Sequence, residues 1–252
     1  MGHSPIRAVI FDYGHTIVDF RRTEEALLEA YGQIRDRIEA ALEIEAPEVS
    51  HLIDRVAGEV DRMVARSYEE RRLEELDVLQ LFDDVLLSTL GVSVPPDVVQ
   101  HIVALDHSAF SRTITVSEQN LEVLDELKRR GLRLGLISNV TLLPQLMRDD
   151  LQALGIGPLL DAALFSSEIG YRKPDRRIFE EMAGRLGVEP AGSVFVGDRL
   201  LDDVRGAQEA NMRAVQTREF RQEELSEVHP DAVIERLPEL VDVLKRWGVE
   251  PP

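Results

Sequence analysis

The chain has no cysteine, so it can form neither a disulfide framework nor a thiolate metal site, and no thiol is available as a nucleophile. Basic runs are missing too: 29 Lys and Arg stand against 47 Asp and Glu, a formal net charge of -18. Nucleic acid binding relies on clustered cations that neutralise phosphates, so that class is disfavoured. No uncharged run is long enough to span a bilayer, and the opening MGHSPIRAVIFDYG has too short an apolar stretch for a signal peptide. The expectation is a cytoplasmic protein that engages neither nucleic acid nor membrane. Internal repeats and low-complexity segments are absent as well. What is present is ordinary: 252 residues, 44% hydrophobic and 30% charged, enough for a full core in one large domain or a domain with an insertion.

Residues 6–11, IRAVIF, are apolar and rich in β-branched side chains, as expected of a strand buried on both faces of a parallel sheet. Similar runs recur at Leu132 to Ile137, Ala162 to Phe165, Ser193 to Val196 and Ala214 to Val215. Between them lie helical patterns: SEQNLEVLDELKRRG, with Ser117 as N-cap and Gly131 closing it, then LPQLMRDDLQALG, DRRIFEEMAGRLG and DDVRGAQEAN. DAVIERLPELVDVLKRWG supplies a last strand and a closing helix. This alternation predicts an α/β fold with a doubly wound parallel sheet, whose site is built by loops at the carboxyl ends of the strands.

Residues 21–105 break the rhythm with four helical patterns divided by Pro or Gly: EEALLEAYGQIRDRIEAALEIE, PEVSHLIDRVAGEVDRMVARS, EERRLEELDVLQLFDDVLLSTLG and PPDVVQHIVALD. They read as an α-helical insertion over the first strand's carboxyl end, with residues 1–20 and 106–252 forming the core. Charge runs such as EERRLEEL read as solvated helix faces with i,i+4 pairs.

Four short stretches fall where strands should end: FDYGHT with Asp12 and Thr16, LISN with Ser138 and Asn139, GYRKPD with Lys173, and VFVGDRLLDD with Asp198, Asp202 and Asp203. Singly, each reads as a turn or a cap. Together, and in this order, they resemble the four motifs of the haloacid dehalogenase superfamily, dominated by phosphatases. Gly206-Ala207 after Asp203 and Lys173-Pro174-Asp175 opening a helix add to the likeness, which covers the whole chain. It implies a Rossmann-like core with an inserted helical cap, and Mg2+ as cofactor. Asp12 would be the nucleophile that forms an aspartyl phosphate, and Asp12 with Asp198 would offer the hard oxygen ligands that Mg2+ takes. The family adds a backbone carbonyl two residues after the nucleophile, here that of Gly14. Ser138 and the Asn139 amide would bind the transferring phosphoryl oxygens, Thr16 would lie on the substrate side, and Lys173 would add a charge beside phosphate and Asp12. Asp203 matches the second acid of the last motif, on metal-bound water or on Lys173, with Asp202 the alternative.

In phosphatases of this family an aspartate two residues after the nucleophile protonates the leaving oxygen and then activates water. Gly14 stands there. General acid/base catalysis contributes about 10²- to 10⁴-fold, so ester hydrolysis should be slow, and acyl or aryl phosphates should suffer least. Two branches of the family lack this acid. Phosphonoacetaldehyde hydrolases need a cap lysine for a Schiff base, and residues 21–105 contain none. Haloacid dehalogenases need no metal, whereas Asp198 in GDRLLDD keeps the metal apparatus. The expected function is therefore a Mg2+-dependent hydrolase of a small phosphorylated metabolite. A dehalogenase, or a weak member that binds a ligand or a protein, is the alternative. The chain would work as a monomer or a homodimer.

Other features have plainer readings. His15, one place beyond Gly14, should face the cap or solvent. His51, His101 and His107 show no metal-ligand spacing and read as polar surface residues. Tyr171 and Arg172 either shape the rim or cover the sheet end, and Arg21-Arg22 either meet an anionic substrate or solvate a linker.

Overall fold

The computed structural model describes residues 4–223 and 227–250. Strand β1 (Ala8–Phe11) is buried along its whole length. Ile6 and Arg7, expected to belong to it, precede it. A turn then leads to the two-residue strand β2 (Val18–Asp19). Five helices follow: α1 (Glu24–Leu42), α2 (Val49–Leu52), α3 (Gly58–Glu69), α4 (Val78–Leu90) and α5 (Pro96–Ser111). A π-helical turn, Ile53–Ala57, joins α2 to α3. Strand β3 (Thr115–Val116) returns antiparallel to β2, with Val18 opposite Val116 and Asp19 opposite Thr115.

The remaining elements alternate: α6 (Glu118–Arg129), β4 (Arg133–Ser138), α7 (Pro144–Ala153), β5 (Ala162–Phe165), α8 (Ser166–Ile169), α9 (Arg176–Leu186), β6 (Ser193–Gly197), α10 (Gly206–Glu209), β7 (Arg213–Thr217), β8 (Ala232–Ile234) and α11 (Leu240–Arg246). Six strands form one parallel sheet in the order β5-β4-β1-β6-β7-β8. Ala8 is in register with Arg133 on one side and Ser193 on the other, so β1 is central. The chain first builds outward through β4 and β5, then crosses back to β6. This is the doubly wound α/β sheet that the alternation of runs predicts, and the reversal beside β1 is where such sheets place their sites.

Capping sets the helix boundaries. Ser117 accepts from the Asn120 N–H and opens α6, as expected, and Gly131 follows that helix in the left-handed region at φ 76°. The third helical pattern is corrected. Residues 70–77 are not helical, because Arg71 turns the chain at φ 53° and Asp77 restarts it by accepting from the N–H groups of Leu79 and Gln80. EERRLEEL is thus no helix face, although Glu70 does pair with Arg66 and Arg72.

The chain separates into two compact units. One comprises Met1–Asp19, Thr115–Val140 and Arg148–Pro252, and the other Phe20–Ile114 and Thr141–Met147. The boundary expected at residue 105 falls inside α5, whose apolar stripe of Val98, Ile102, Val103 and Ala109 stays in the helical unit's core. That core also buries Tyr31, Ile34, Ile38, Leu52 and Phe82. On the sheet, Ile10, Leu164, Phe195 and Ala214 pack with Ile178, Phe179 and Met182 of α9. Among the described residues, no helix is long and apolar enough to cross a membrane.

Candidate active site

Three neighbouring strands deliver polar residues to the sheet's carboxyl edge. Asp12 follows β1, Ser138 ends β4, and Asp198 follows β6. The Asp12 N–H donates to the Val196 carbonyl at 2.8 Å, which extends the β1–β6 ladder and fixes Asp12 beside Asp198. Lys173 arrives from the segment between α8 and α9. Asn139 grips it on both sides: the Lys173 N–H donates to Asn139 Oδ1 at 2.7 Å, and Asn139 Nδ2 donates to the Lys173 carbonyl at 2.9 Å.

Lys173 is the charge centre of the site. Its ammonium, 2% exposed, donates to Asp12 Oδ1 and to Asp203 Oδ1, each at 2.6 Å. Asp203 also accepts from the Arg199 N–H through Oδ2 at 2.9 Å, so both its oxygens are engaged. It lies close because a π-helical turn, Leu200–Arg205, carries it back under Gly197, where an added methyl group would collide with the Asp203 carboxyl carbon. Such turns occur often at functional sites.

Carboxylate oxygens of Asp12, Asp198 and Asp203 all lie within 4.8 Å of one another. Burial pushes Asp12 up to about 6, with Asp203 adding to the rise and Lys173 opposing it. Burial, then the charges of Asp12 and Asp203, pushes Asp198 up to about 8. Burial disfavours the Lys173 ammonium, but Asp12 and Asp203 outweigh it and raise its proton affinity above that of an ordinary lysine. One buried ammonium among three carboxylates leaves the cluster short of positive charge. Asp198 Oδ2 expresses the deficit: it is buried and accepts no hydrogen bond among the described residues, and Arg221 Nε, 3.1 Å away, meets it as an ion pair without hydrogen-bond alignment. A hard divalent cation such as Mg2+ suits this all-oxygen donor set.

Ser138 is buried at its strand end. The Asn139 side chain is engaged with the Lys173 main chain and so holds Lys173 in place. Thr16, expected on the substrate side, is fully buried, and its hydroxyl has no hydrogen-bond partner among the described residues. Gly14 forms a bridge with Val18 in the turn after the nucleophile. Asp203, not Asp202, meets Lys173. Burial and Asp203 raise the proton affinity of Asp202. His15 is half-buried at φ 59°, with Nδ1 3.2 Å from Asp19 Oδ1. Burial, followed by the charge of Arg221, lowers its proton affinity. Arg172 is buried and not a rim residue, while Tyr171 stacks under Arg177. In the helical unit Arg22 pairs with Asp61 and lies over the Phe110 ring. His107 is buried, unlike the exposed His51 and His101.

Sequence reasoning passed over Arg221 and Asn120. Arg221 lies beyond the last motif, in a segment without pattern. Asn120 donates from Nδ2 to the Ile17 carbonyl at 3.0 Å and so ties α6 to the nucleophile turn, and its place in the first turn of a capped helix was the available signal.

A doubly wound parallel sheet with a buried Asp–Lys–Asp cluster at its carboxyl edge is the arrangement of a hydrolase with an α/β core. The chain belongs to the haloacid dehalogenase-like hydrolase family, whose model matches residues 6–211. It is 31% identical over 245 residues to a glyceraldehyde 3-phosphate phosphatase of Methanopyrus kandleri, covering 95% of this chain and 97% of that one. With a phosphoserine phosphatase of Thermus thermophilus it shares 39% identity over 108 residues, 43% of either chain. Among solved structures, a 2-haloacid dehalogenase from Pseudomonas syringae pv. Tomato DC3000 matches with TM-score 0.68 and 26% identity, over 96% of this chain and 100% of that one. A HAD phosphatase from Thermococcus onnurineus matches with TM-score 0.61 and 25% identity, over 98% and 100%.

Proposed function

We propose that the protein is a Mg2+-dependent phosphatase of a small phosphorylated metabolite in the cytoplasm, working through an aspartyl phosphate on Asp12. The observation that carries this reading is the Lys173 ammonium, 2.6 Å from both Asp12 and Asp203 within a cluster of three buried carboxylates. Relatives along nearly the whole chain are named phosphatases.

Asp12, Asp198, Asp203 and the Gly14 carbonyl would hold Mg2+. When bound, it supplies positive charge that lets a carboxylate approach a phosphate dianion and stabilises charge on the phosphoryl oxygens. An Asp12 oxygen attacks phosphorus, the P–O bond to the leaving group breaks, and water then attacks the acyl phosphate, releasing phosphate and restoring the carboxylate. Lys173 orients Asp12 and offers charge to the phosphoryl group, and Ser138 at the end of β4 takes one of its oxygens. Asn139 keeps Lys173 in place. Gly14 supplies no proton, so the leaving group departs unaided and acyl or aryl phosphates are preferred. The helical unit is read as the cap that selects among substrates.

The test is Mg2+-dependent phosphate release from acetyl phosphate and phenyl phosphate, with Asp12→Asn expected to abolish it. Gly14→Asp should raise turnover of an alkyl phosphate by about 10²-fold or more. A silent wild type across such a panel, or no gain from the aspartate, overturns the proposal. Halide release that persists in chelator would instead mark the dehalogenase reading, which the cluster around Asp198 disfavours.

A further inference from the structure

Arg221 is not explained by the reaction as described. It lies in the segment after β7, which is pinned on both sides. Glu219 accepts from the Leu237 N–H at 2.7 Å, and Glu223 accepts from the Leu200 N–H at 2.6 Å, within the turn that carries Asp203. This pinning presents Arg221 at the carboxyl edge, with Nε 3.1 Å from Asp198 Oδ2 and its side chain 32% exposed. Arg199, in the same turn as Asp203, is 45% exposed and touches Asp202 at 3.4 Å. Both charges are felt at His15 in the nucleophile turn. Two guanidinium groups thus meet carboxylates of the last motif, Arg221 at Asp198 and Arg199 at Asp202, in a chain of net charge -18.

The plain reading makes Arg221 the counter-ion of Asp198. The alignment argues against that as its whole role, because the contact is not a hydrogen bond and a third of the side chain remains open to solvent. On the reading that Asp198 takes a divalent cation, the carboxylate no longer needs the arginine. A guanidinium held by a pinned segment is then left beside the reacting phosphoryl group, with its planar fork suited to a carboxylate or a second phosphate. Lys173 cannot fill that role, since Asp12 and Asp203 already hold it inside the cluster.

We propose that Arg221, supported by Arg199, is the specificity-determining residue of the core, and that the substrate is a phosphomonoester carrying a second anionic group. The inference rests on the phosphatase reading and names the class of substrate that this site takes. It places the recognition of charge in the sheet unit.

The test is a calorimetric titration of the full chain in saturating Mg2+ with 3-phosphoglycerate and with glycerol 3-phosphate, which differ in a carboxylate against a hydroxymethyl group. The wild type is expected to bind the first about tenfold more tightly or better. Arg221→Gln should cut that preference to about twofold, and Arg221→Lys should keep an intermediate share of it. Equal binding of the two ligands by the wild type overturns the proposal. So does an Arg221→Gln variant that weakens both by the same factor, or one that changes the Mg2+ dissociation constant while keeping the preference. Matching melting curves for wild type and variants show that folding is not what is being read. Failure to release phosphate from phenyl phosphate would sink the hydrolase reading and still leave this titration readable.

Discussion

Lys173 faces more negative charge than it can compensate. Removing one partner of a buried ion pair destabilises by about 3–5 kcal/mol because the other charge is left without compensation. Lys173→Gln is therefore expected to lower the unfolding free energy by about 3 kcal/mol at pH 8 and by less at pH 6, where protons can neutralise the carboxylates; urea denaturation at both pH values measures it. The cluster also sets a pH dependence for the cation-free protein. Asp12 and Asp198 bind protons more tightly when folded, near 6 and 8, than the ordinary 3.8 of an unfolded carboxyl. The folded state thus holds more protons than the unfolded one, and stability falls as pH rises from about 4 to about 8. A divalent cation replaces those protons. The rise in melting temperature produced by about 5 mM Mg2+ should accordingly be larger at pH 8.5 than at pH 5.5. Equal shifts at the two pH values would argue that Mg2+ binds elsewhere.

At the scale of elements, two strand glycines make different demands. A methyl group on Gly197 at the end of β6 would strike the Asp203 carboxyl group, which Lys173 and the Arg199 N–H hold fast. On Gly135 in β4 it would meet the Met182 sulfur at 2.7 Å, the far end of a flexible side chain. Gly197→Ala is expected to cost about 1–3 kcal/mol and most of the activity, while Gly135→Ala should retain its turnover at a smaller loss of stability; paired melts and phosphate-release assays decide. The same contrast explains what was legible in the sequence. Buried parallel strands are written as continuous apolar runs, so β1, β4, β5 and β6 were readable, as were the motifs after them. Ser117 and Gly131 marked α6 because caps are local chemistry. Asp77 was less visible: it restarts α4 inside a charge run whose composition is equally helical on either side. The π-helical turn at Leu200–Arg205 and the approach of Arg221 depend on packing between segments distant in sequence, and no periodicity records that.

The whole molecule is two compact units, each with its own apolar core. Phe82, 1% exposed in the helical unit's core, can be truncated without touching the sheet. Phe82→Ala should cost about 3–5 kcal/mol there, and calorimetry should then resolve two transitions, of which Mg2+ raises only the one belonging to the sheet unit. A single transition shifted as a whole would show instead that the units unfold together. The pairing of β2 with β3 has a consequence of another kind. Asp19 and Thr115 are partners across an antiparallel pair, so the chain leaves the sheet unit and re-enters it at neighbouring points. To that unit everything between them is a loop, and lengthening a loop costs only about 0.6 kcal/mol for each doubling. A descendant gene could exchange the whole intervening segment for another through this doorway and inherit Asp12, Lys173 and Asp203 undisturbed. Change in the intervening segment is thereby uncoupled, in its energetic cost, from preservation of the residues at the sheet's carboxyl edge.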